Sequence, residues 1–176
     1  MSPRVVLVGP PGAGKSTIGR RLAHALNTSL VDSDVLIEAE QGRPCGEVYA
    51  DLGEEAFREL EAIKVAEALE TSGVVSLGGG AVVTESNRNL LANHPVVWVD
   101  VSLEEGVRRT ISDTSRPVLA AADPKERYQQ LLTERTPLYR EVAGYRARTD
   151  GRTPQQVVAD VLNYLETHSD THEKDV

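Results

Sequence analysis

Cysteine is all but missing from this 176-residue chain, where Cys45 stands alone. One thiol cannot form an internal disulfide, and a chain without that framework suits a reducing compartment. Aromatic residues are scarce at 4%, which argues against ring platforms that stack nucleic-acid bases. Positive charge is not in excess either. A formal net charge of −8 opposes nonspecific binding to nucleic acid, yet leaves room for a local basic pocket. No apolar run approaches the ~18–20 residues of a membrane span. The opening Met1-Ser2-Pro3-Arg4 leads straight into an apolar segment, without the layout of a secretory signal. The four histidines are scattered and show no metal-ligand spacing. A cytoplasmic monomer with no nucleic-acid or membrane partner is therefore expected. What is present fits a globular domain: 40% hydrophobic and 26% charged residues. The length suits one domain, read as residues 1–167 with 168–176 as a polar, disordered tail.

Val5-Val6-Leu7-Val8 is a short apolar run ending at a glycine-rich turn, which reads as a buried strand. Ile18, Leu22, Ala25 and Leu26 then fall at helical spacing. Leu30-Val31 begins a second strand, closed by Asp32-Ser33-Asp34, with a helix expected from about Val35 to Glu40. Gly42, Pro44, Gly46 and Gly53 are expected to interrupt the chain before a helix carrying Phe57, Leu60, Ile63, Ala66 and Leu69. Val74 to Leu77 reads as a third strand and Val96 to Val101 as a fourth, with Trp98 as core. Ser102 to Glu105 fits a capping box in which Glu105 reaches back to Ser102. Asp123-Pro124 and Thr153-Pro154 open two further helices, the last lined by Val157, Val158, Val161, Leu162 and Leu165. Alternating strands and helices imply an α/β fold with a parallel sheet. Continuous apolar runs imply strands covered on both faces, with ligands beyond their carboxyl ends.

Gly9-Pro10-Pro11-Gly12-Ala13-Gly14-Lys15-Ser16 matches G-x-x-x-x-G-K-[ST] between a strand and a helix. Such a loop wraps backbone N–H groups around phosphate oxygens at a helix N-terminus. Lys15 can then reach the β- and γ-phosphates, and the Ser16 hydroxyl can bind Mg²⁺. The motif does not say where the γ-phosphate goes. If strand geometry persists through Asp32 and Asp34, both side chains point to one face. One can then hold a Mg²⁺-bound water while the other accepts or orients a hydroxyl proton. From spacing alone, Asp34 as an ordinary helix cap reads equally well. Gly78-Gly79-Gly80 permits close approach of backbone to a ligand, although a plain loop has the same sequence. Arg58 and Glu61 are three apart on a helix, as in many surface pairs. Arg116 lies in a loop and Arg135 just before Thr136-Pro137. Single arginines are usually solvated, whereas several in one cleft suit an anion. Residues 113–123 carry few large apolar anchors and are expected to move when no ligand is bound.

Taken together, these elements are more specific than any one of them. The phosphate loop, Asp32-Ser33-Asp34, Phe57-Arg58 with Glu61, Gly78-Gly79-Gly80 and Arg116-Pro117 resemble the shikimate kinase family in order and spacing, from about Pro3 to Leu165. The resemblance implies an α/β, phosphate-loop, nucleoside-monophosphate-kinase-like fold of three layers, with a five-stranded parallel sheet in order 2-3-1-4-5. It implies transfer of the ATP γ-phosphoryl group, with Mg²⁺, to the 3-hydroxyl of shikimate, on the way to chorismate and the aromatic amino acids. Asp34 would be the base, with Lys15 and Arg116 as its catalytic companions. Arg58 and Arg135 would grip the substrate carboxylate, Glu61 would hold Arg58, and Gly78, Gly79 and Gly80 would line the substrate site. Nucleotide would be held by Gly12, Ala13, Gly14, Lys15, Ser16, Thr17 and Arg116, with Arg109 and Pro154 as the faces of an adenine slot and Arg152 nearby. Asp32 would bind Mg²⁺ through water, beside Ser16. A substrate subdomain over 33–61 and a lid over 112–123 follow in the same way.

Ser76 departs from the pattern, since many phosphate-loop proteins carry an acid there; weight shifts to Asp32 and water. Cys45 reads as a small packed residue rather than a nucleophile. Two rivals stand beside this reading. One is another small-molecule kinase of the same fold, acting on gluconate or a nucleotide; the acid pair with Arg58 and Arg135 favours a hydroxylated carboxylate. The other is a binding protein that has lost its chemistry, for which Lys15, Asp34 or Arg116 should be missing, and all three are present.

Overall fold

The computed structural model describes residues 1–111 and 123–172. Strand β1 (Val5–Val8) lies at the centre, and all four of its side chains are completely buried. Strand β3 (Val74–Ser76) pairs on one side and β4 (Val96–Asp100) on the other. Strands β2 (Leu30–Asp32) and β5 (Tyr145–Arg148) form the edges. Every pairing is parallel, in the order β2-β3-β1-β4-β5. All five strands therefore end on one side of the sheet, where the phosphate loop, the acid pair and the triple glycine emerge.

Strand alternation divides the core into two layers. Val5 and Leu7 face Leu22 of α1 (Lys15–Ala25) and Val161 of α8 (Pro154–His172). Val6 and Val8 face Val65 of α4 (Glu54–Ala68) and Leu91 of α5 (Glu85–Leu91). Each such fully buried side chain contributes about 1.5–3 kcal/mol. A third, smaller core of Ile37, Val48 and Phe57 ties α2 (Ser33–Gln41) and α3 (Cys45–Leu52) to α4. It gives the 33–61 region its own packing beside the sheet.

Several local readings differ from the structure. Strand β5 went unseen because Tyr-Arg-Ala-Arg has one buried residue, Ala147. Charged side chains suit an edge strand; Arg146 Nε bonds Asp100 Oδ2 at 2.8 Å and its guanidinium sits 4.2 Å from the centre of the Trp98 ring. Gly46 does not break the chain but lies in the first turn of α3, held there by Val48 and by the edge-on contact of Tyr49 with Phe57. Only half of the capping box forms at α6 (Leu103–Ile111). Ser102 Oγ accepts the Glu105 N–H at 3.3 Å, whereas the Ser102 N–H goes to Asp150 Oδ1 at 2.8 Å. Arg108 and Arg109 take the Glu105 carboxylate instead and hold its pKa down at about 2. Finally, α8 continues to His172, past the boundary drawn at 167. Thr167 Oγ1 returns to the Tyr164 carbonyl, and the His168 ring lies 4.1 Å from the Tyr164 ring, which prolongs the helix.

Candidate active site

The phosphate loop joins β1 to α1. Gly14, the cap residue of α1, has no side chain to offer the first turn, so that turn's N–H groups face the cleft for an anion to use. The Lys15 ammonium donates to the carbonyls of Gly9 at 2.7 Å and Pro10 at 3.1 Å. A cavity of about 380 Å³ opens above the loop. Residues 12–17 form its floor, with Asp32, Asp34, Gly78 and Gly79 on one wall. Arg109, Thr149, Arg152 and Pro154 stand at the other end. Arg109 is anchored there, bonding Glu105 through Nε at 3.0 Å and the Gly12 carbonyl through a terminal nitrogen at 3.1 Å.

The acid pair reaches this cavity by a route that spacing did not reveal. Strand geometry stops at Asp32, and the helix begins at Ser33. Asp32 is the cap of α2, its Oδ1 accepting the Asp34 N–H at 2.8 Å. Asp34 is not the cap; it sits in the first turn, which curls its carboxylate back toward the same cavity. Between them, the buried Ser33 accepts the Gly78 N–H on Oγ at 3.0 Å, which ties the acid pair to the triple glycine. The glycines also answer a steric need. A Cβ on Gly78 would lie 2.5 Å from Asp34 Oδ1, and one on Gly80 would overlap the Arg58 guanidinium.

Arg58 on α4 donates to Glu61 Oε1 at 2.9 Å and to Glu54 Oε1 at 3.1 Å. Glu61 is only 1% exposed, so this pair belongs to the interior and not to the surface. Burial works against the Arg58 charge, but the Glu61 and Glu54 carboxylates outweigh it and lift its pKa. Burial raises the Glu61 carboxyl above its ordinary range, and Arg58 pulls it only part of the way back. Arg58 and Glu61 line a second cavity of about 490 Å³, together with Arg135 and residues 78–80. Asp34, Gly78 and Gly79 belong to both cavities. Cys45 lines the second one, its Sγ 3.4 Å from the Asp34 carbonyl, and burial pushes its thiol pKa far up, which keeps it protonated.

Among the described residues, no group of three or more histidine, cysteine or acidic side chains stands together to cage a metal. Ser16 and Asp32 bring two hard oxygen donors to the first cavity. Such a sparse set suits Mg²⁺, which keeps several waters and takes substrate phosphates as ligands. Ser76 pairs in register with Asp32 and is buried, so this strand brings a hydroxyl and no carboxylate beside Asp32. The structure thus brings together every site residue read from the sequence except Arg116. That residue, with the rest of 112–122, lies outside the described residues. Sequence reasoning passed over Ser33, Glu54, Thr149 and two tyrosines: Tyr128, which donates to the Pro11 carbonyl at 2.7 Å, and Tyr139, which donates to the Gly79 carbonyl at 2.6 Å.

Comparison with known proteins points to one family. The family model described as shikimate kinase matches residues 11–166. A shikimate kinase of Corynebacterium glutamicum is 69% identical over 164 residues, covering 93% of this chain and 97% of its own. The solved shikimate kinase of Acinetobacter baumannii, in complex with shikimate, superposes with a TM-score of 0.90 at 34% identity, over 96% of this chain and 94% of that one. A gluconokinase of Sinorhizobium meliloti shares the fold alone, with a TM-score of 0.62 at 16% identity, over 97% of this chain and 95% of that one.

Proposed function

The chain belongs to the shikimate kinase family, and on that premise we propose that its paired cavities transfer the γ-phosphoryl group of ATP to the 3-hydroxyl of shikimate. The enzyme is a small-molecule kinase of the shikimate pathway, and the products are shikimate 3-phosphate and ADP. One observation carries this reading: Asp34, Gly78 and Gly79 form a wall shared by a phosphate-loop cavity and an arginine-lined cavity. A donor in the first and an acceptor in the second meet at a carboxylate.

The hydroxyl oxygen forms the new bond to the γ-phosphorus, the bond to the β-phosphate bridging oxygen breaks, and the hydroxyl proton passes to Asp34. Lys15 and the first-turn N–H groups of α1 hold the charge that gathers on the phosphate oxygens. Ser16 directly, and Asp32 through water, are the residues suited to hold Mg²⁺, which when bound neutralises phosphate charge. Arg109 and Pro154 flank the adenine, with Arg152 beside them. Arg58 and Arg135 bind the acceptor carboxylate. Arg116 is assigned to the phosphates on the family resemblance alone. A cytoplasmic monomer that binds neither nucleic acid nor membrane is part of the same proposal; the net charge of −8 supports the lack of nonspecific binding to nucleic acid. Among the described residues, no helix is long and apolar enough to cross a membrane.

Turnover of ATP with and without shikimate tests the reading directly. ADP should appear in step with phosphorylated shikimate; ADP release indifferent to shikimate, or faster with gluconate, would defeat it. The two arginines supply a second check. Arg135→Ala should raise the KM for shikimate by about 10–100-fold, the loss of one charge-assisted contact worth ~1.5–3 kcal/mol. Arg58→Ala should do the same and also lower thermal stability, because Glu61 then stays buried without the guanidinium that donates to it. An analogue without the carboxylate should be used equally poorly by wild type and both variants. If each variant loses as much with the analogue as with shikimate, the arginines do not read the carboxylate.

A further inference from the structure

Helix α7 (Pro124–Val142) follows residues 112–122 and runs along the acceptor cavity, which its Arg127, Leu131, Glu134 and Arg135 line. Tyr128, Leu131, Arg135 and Tyr139 succeed one another on it at helical spacing, so they share one face. Leu131 and Arg135 line the acceptor cavity. The tyrosines flank them in sequence, both essentially unexposed, and their hydroxyls go to two different loops. Tyr128 bonds the carbonyl of Pro11, in the phosphate loop; Tyr139 bonds that of Gly79, in the glycine turn.

Those two loops touch each other, since a Cβ on Gly79 would lie 3.1 Å from Pro11 Cδ. The tyrosines stand three helical turns apart, ~16 Å along the axis, and converge on the contact from either end. Room has been made for one of them. A Cβ on Gly106 of α6 would collide with the Tyr128 ring, so this glycine lets the phenol pass to Pro11. Arg135 approaches the Tyr139 phenol from the acceptor side. One helix, with Pro137 inside it between Arg135 and Tyr139, therefore holds the donor loop, the acceptor turn and an acceptor arginine at once.

We propose that Tyr128 and Tyr139 are positioning residues that clamp the phosphate loop and the glycine turn to α7 and so set the distance between the transferring phosphate and the accepting hydroxyl. The idea rests on the kinase reading of the two cavities. Neither phenol is placed on substrate, so neither should govern binding. Both should govern how well bound reactants are aligned, where a displacement of 1 Å can cost roughly 10²-fold in rate.

The test is steady-state kinetics of Tyr128→Phe and Tyr139→Phe beside the wild type, with far-UV circular dichroism at the assay temperature and ADP counted against phosphorylated shikimate. In fully folded variants, kcat should fall about tenfold or more while both KM values stay within about threefold, and ADP should exceed phosphorylated product as water captures misaligned phosphoryl groups. A merely structural role predicts activity that tracks the folded fraction, with ADP and product in equal amounts; that result overturns the proposal, as does an unchanged kcat. Gly106→Ala, which pushes on the Tyr128 ring and leaves its hydroxyl chemistry intact, should reproduce the Tyr128→Phe pattern. If Tyr139→Phe does not fold, Tyr128→Phe decides the matter by the same criteria. The wild type separates the two ideas: no phosphorylated shikimate from it sinks the kinase reading, whereas a working wild type with unaltered phenylalanine variants sinks only the clamp.

Discussion

Lys15→Ala is expected to leave a folded protein whose kcat has fallen about 10²–10³-fold, a loss of ~2.7–4 kcal/mol of transition-state stabilisation. The fold should survive because Lys15 does not hold the loop by itself. Its ammonium bonds the Gly9 and Pro10 carbonyls. The neighbouring turns are also fastened from outside, Pro11 by Tyr128 and Gly12 by Arg109. The backbone N–H groups that would face phosphate are those of the loop and of the first turn of α1, and alanine leaves them in place. What disappears is a positive charge beside the phosphate that moves. The loss should therefore fall on kcat at saturating ATP and shikimate, in a variant that a melting curve shows to be folded at the assay temperature. Near-normal turnover by the folded variant would mean that the phosphates do not lie where the loop predicts.

Why some of this site was legible in the sequence and some was not follows from the range of the interactions. The phosphate loop could be read because its strand, glycines and helix are neighbours in sequence, and each obeys a short-range rule. Asp32 and Asp34 were expected on one face of a strand, and the structure gives them another geometry. Two residues along a strand is one face, but the helix begins between them, and the choice of cap was open until Asp32 closed on the Asp34 N–H. Arg58 and Glu61 could be paired from their spacing, yet their burial depends on α2, α3 and the glycine turn closing over α4. Spacing says nothing of that. Gly78 and Gly80 looked like ligand-facing backbone, whereas the structure shows them also clearing space for Asp34 and Arg58. The tyrosines lay beyond reach altogether: their partners are 117 and 60 residues away. No local pattern encodes such a contact, and a buried tyrosine on a helix reads simply as core. Strand β5 was lost for the opposite reason, because its charged edge hides the apolar pattern on which strand recognition relies.

Asp34→Asn should reduce kcat by about 10²–10⁴-fold while ATP affinity stays close to that of the wild type. An amide has the shape of a carboxylate but cannot take a proton, so the variant separates chemistry from packing. The surroundings favour a clean result. The main chain at Asp34 is held by its N–H on Asp32 Oδ1 and by Cys45 Sγ on its carbonyl, and neither contact uses the Asp34 side chain. Gly78 leaves room against the side-chain oxygen, room that an amide fills equally well. The carboxylate also faces both cavities, while the lysine and helix terminus that would hold the phosphates lie in only one of them. Nucleotide binding should thus hardly register the change, and calorimetric titration with ATP analogues can check it. Transfer should register it strongly, because the acceptor hydroxyl loses the group that receives or orients its proton. A variant that loses ATP affinity yet keeps its kcat would place Asp34 on the nucleotide side of the wall and remove it from the transfer step.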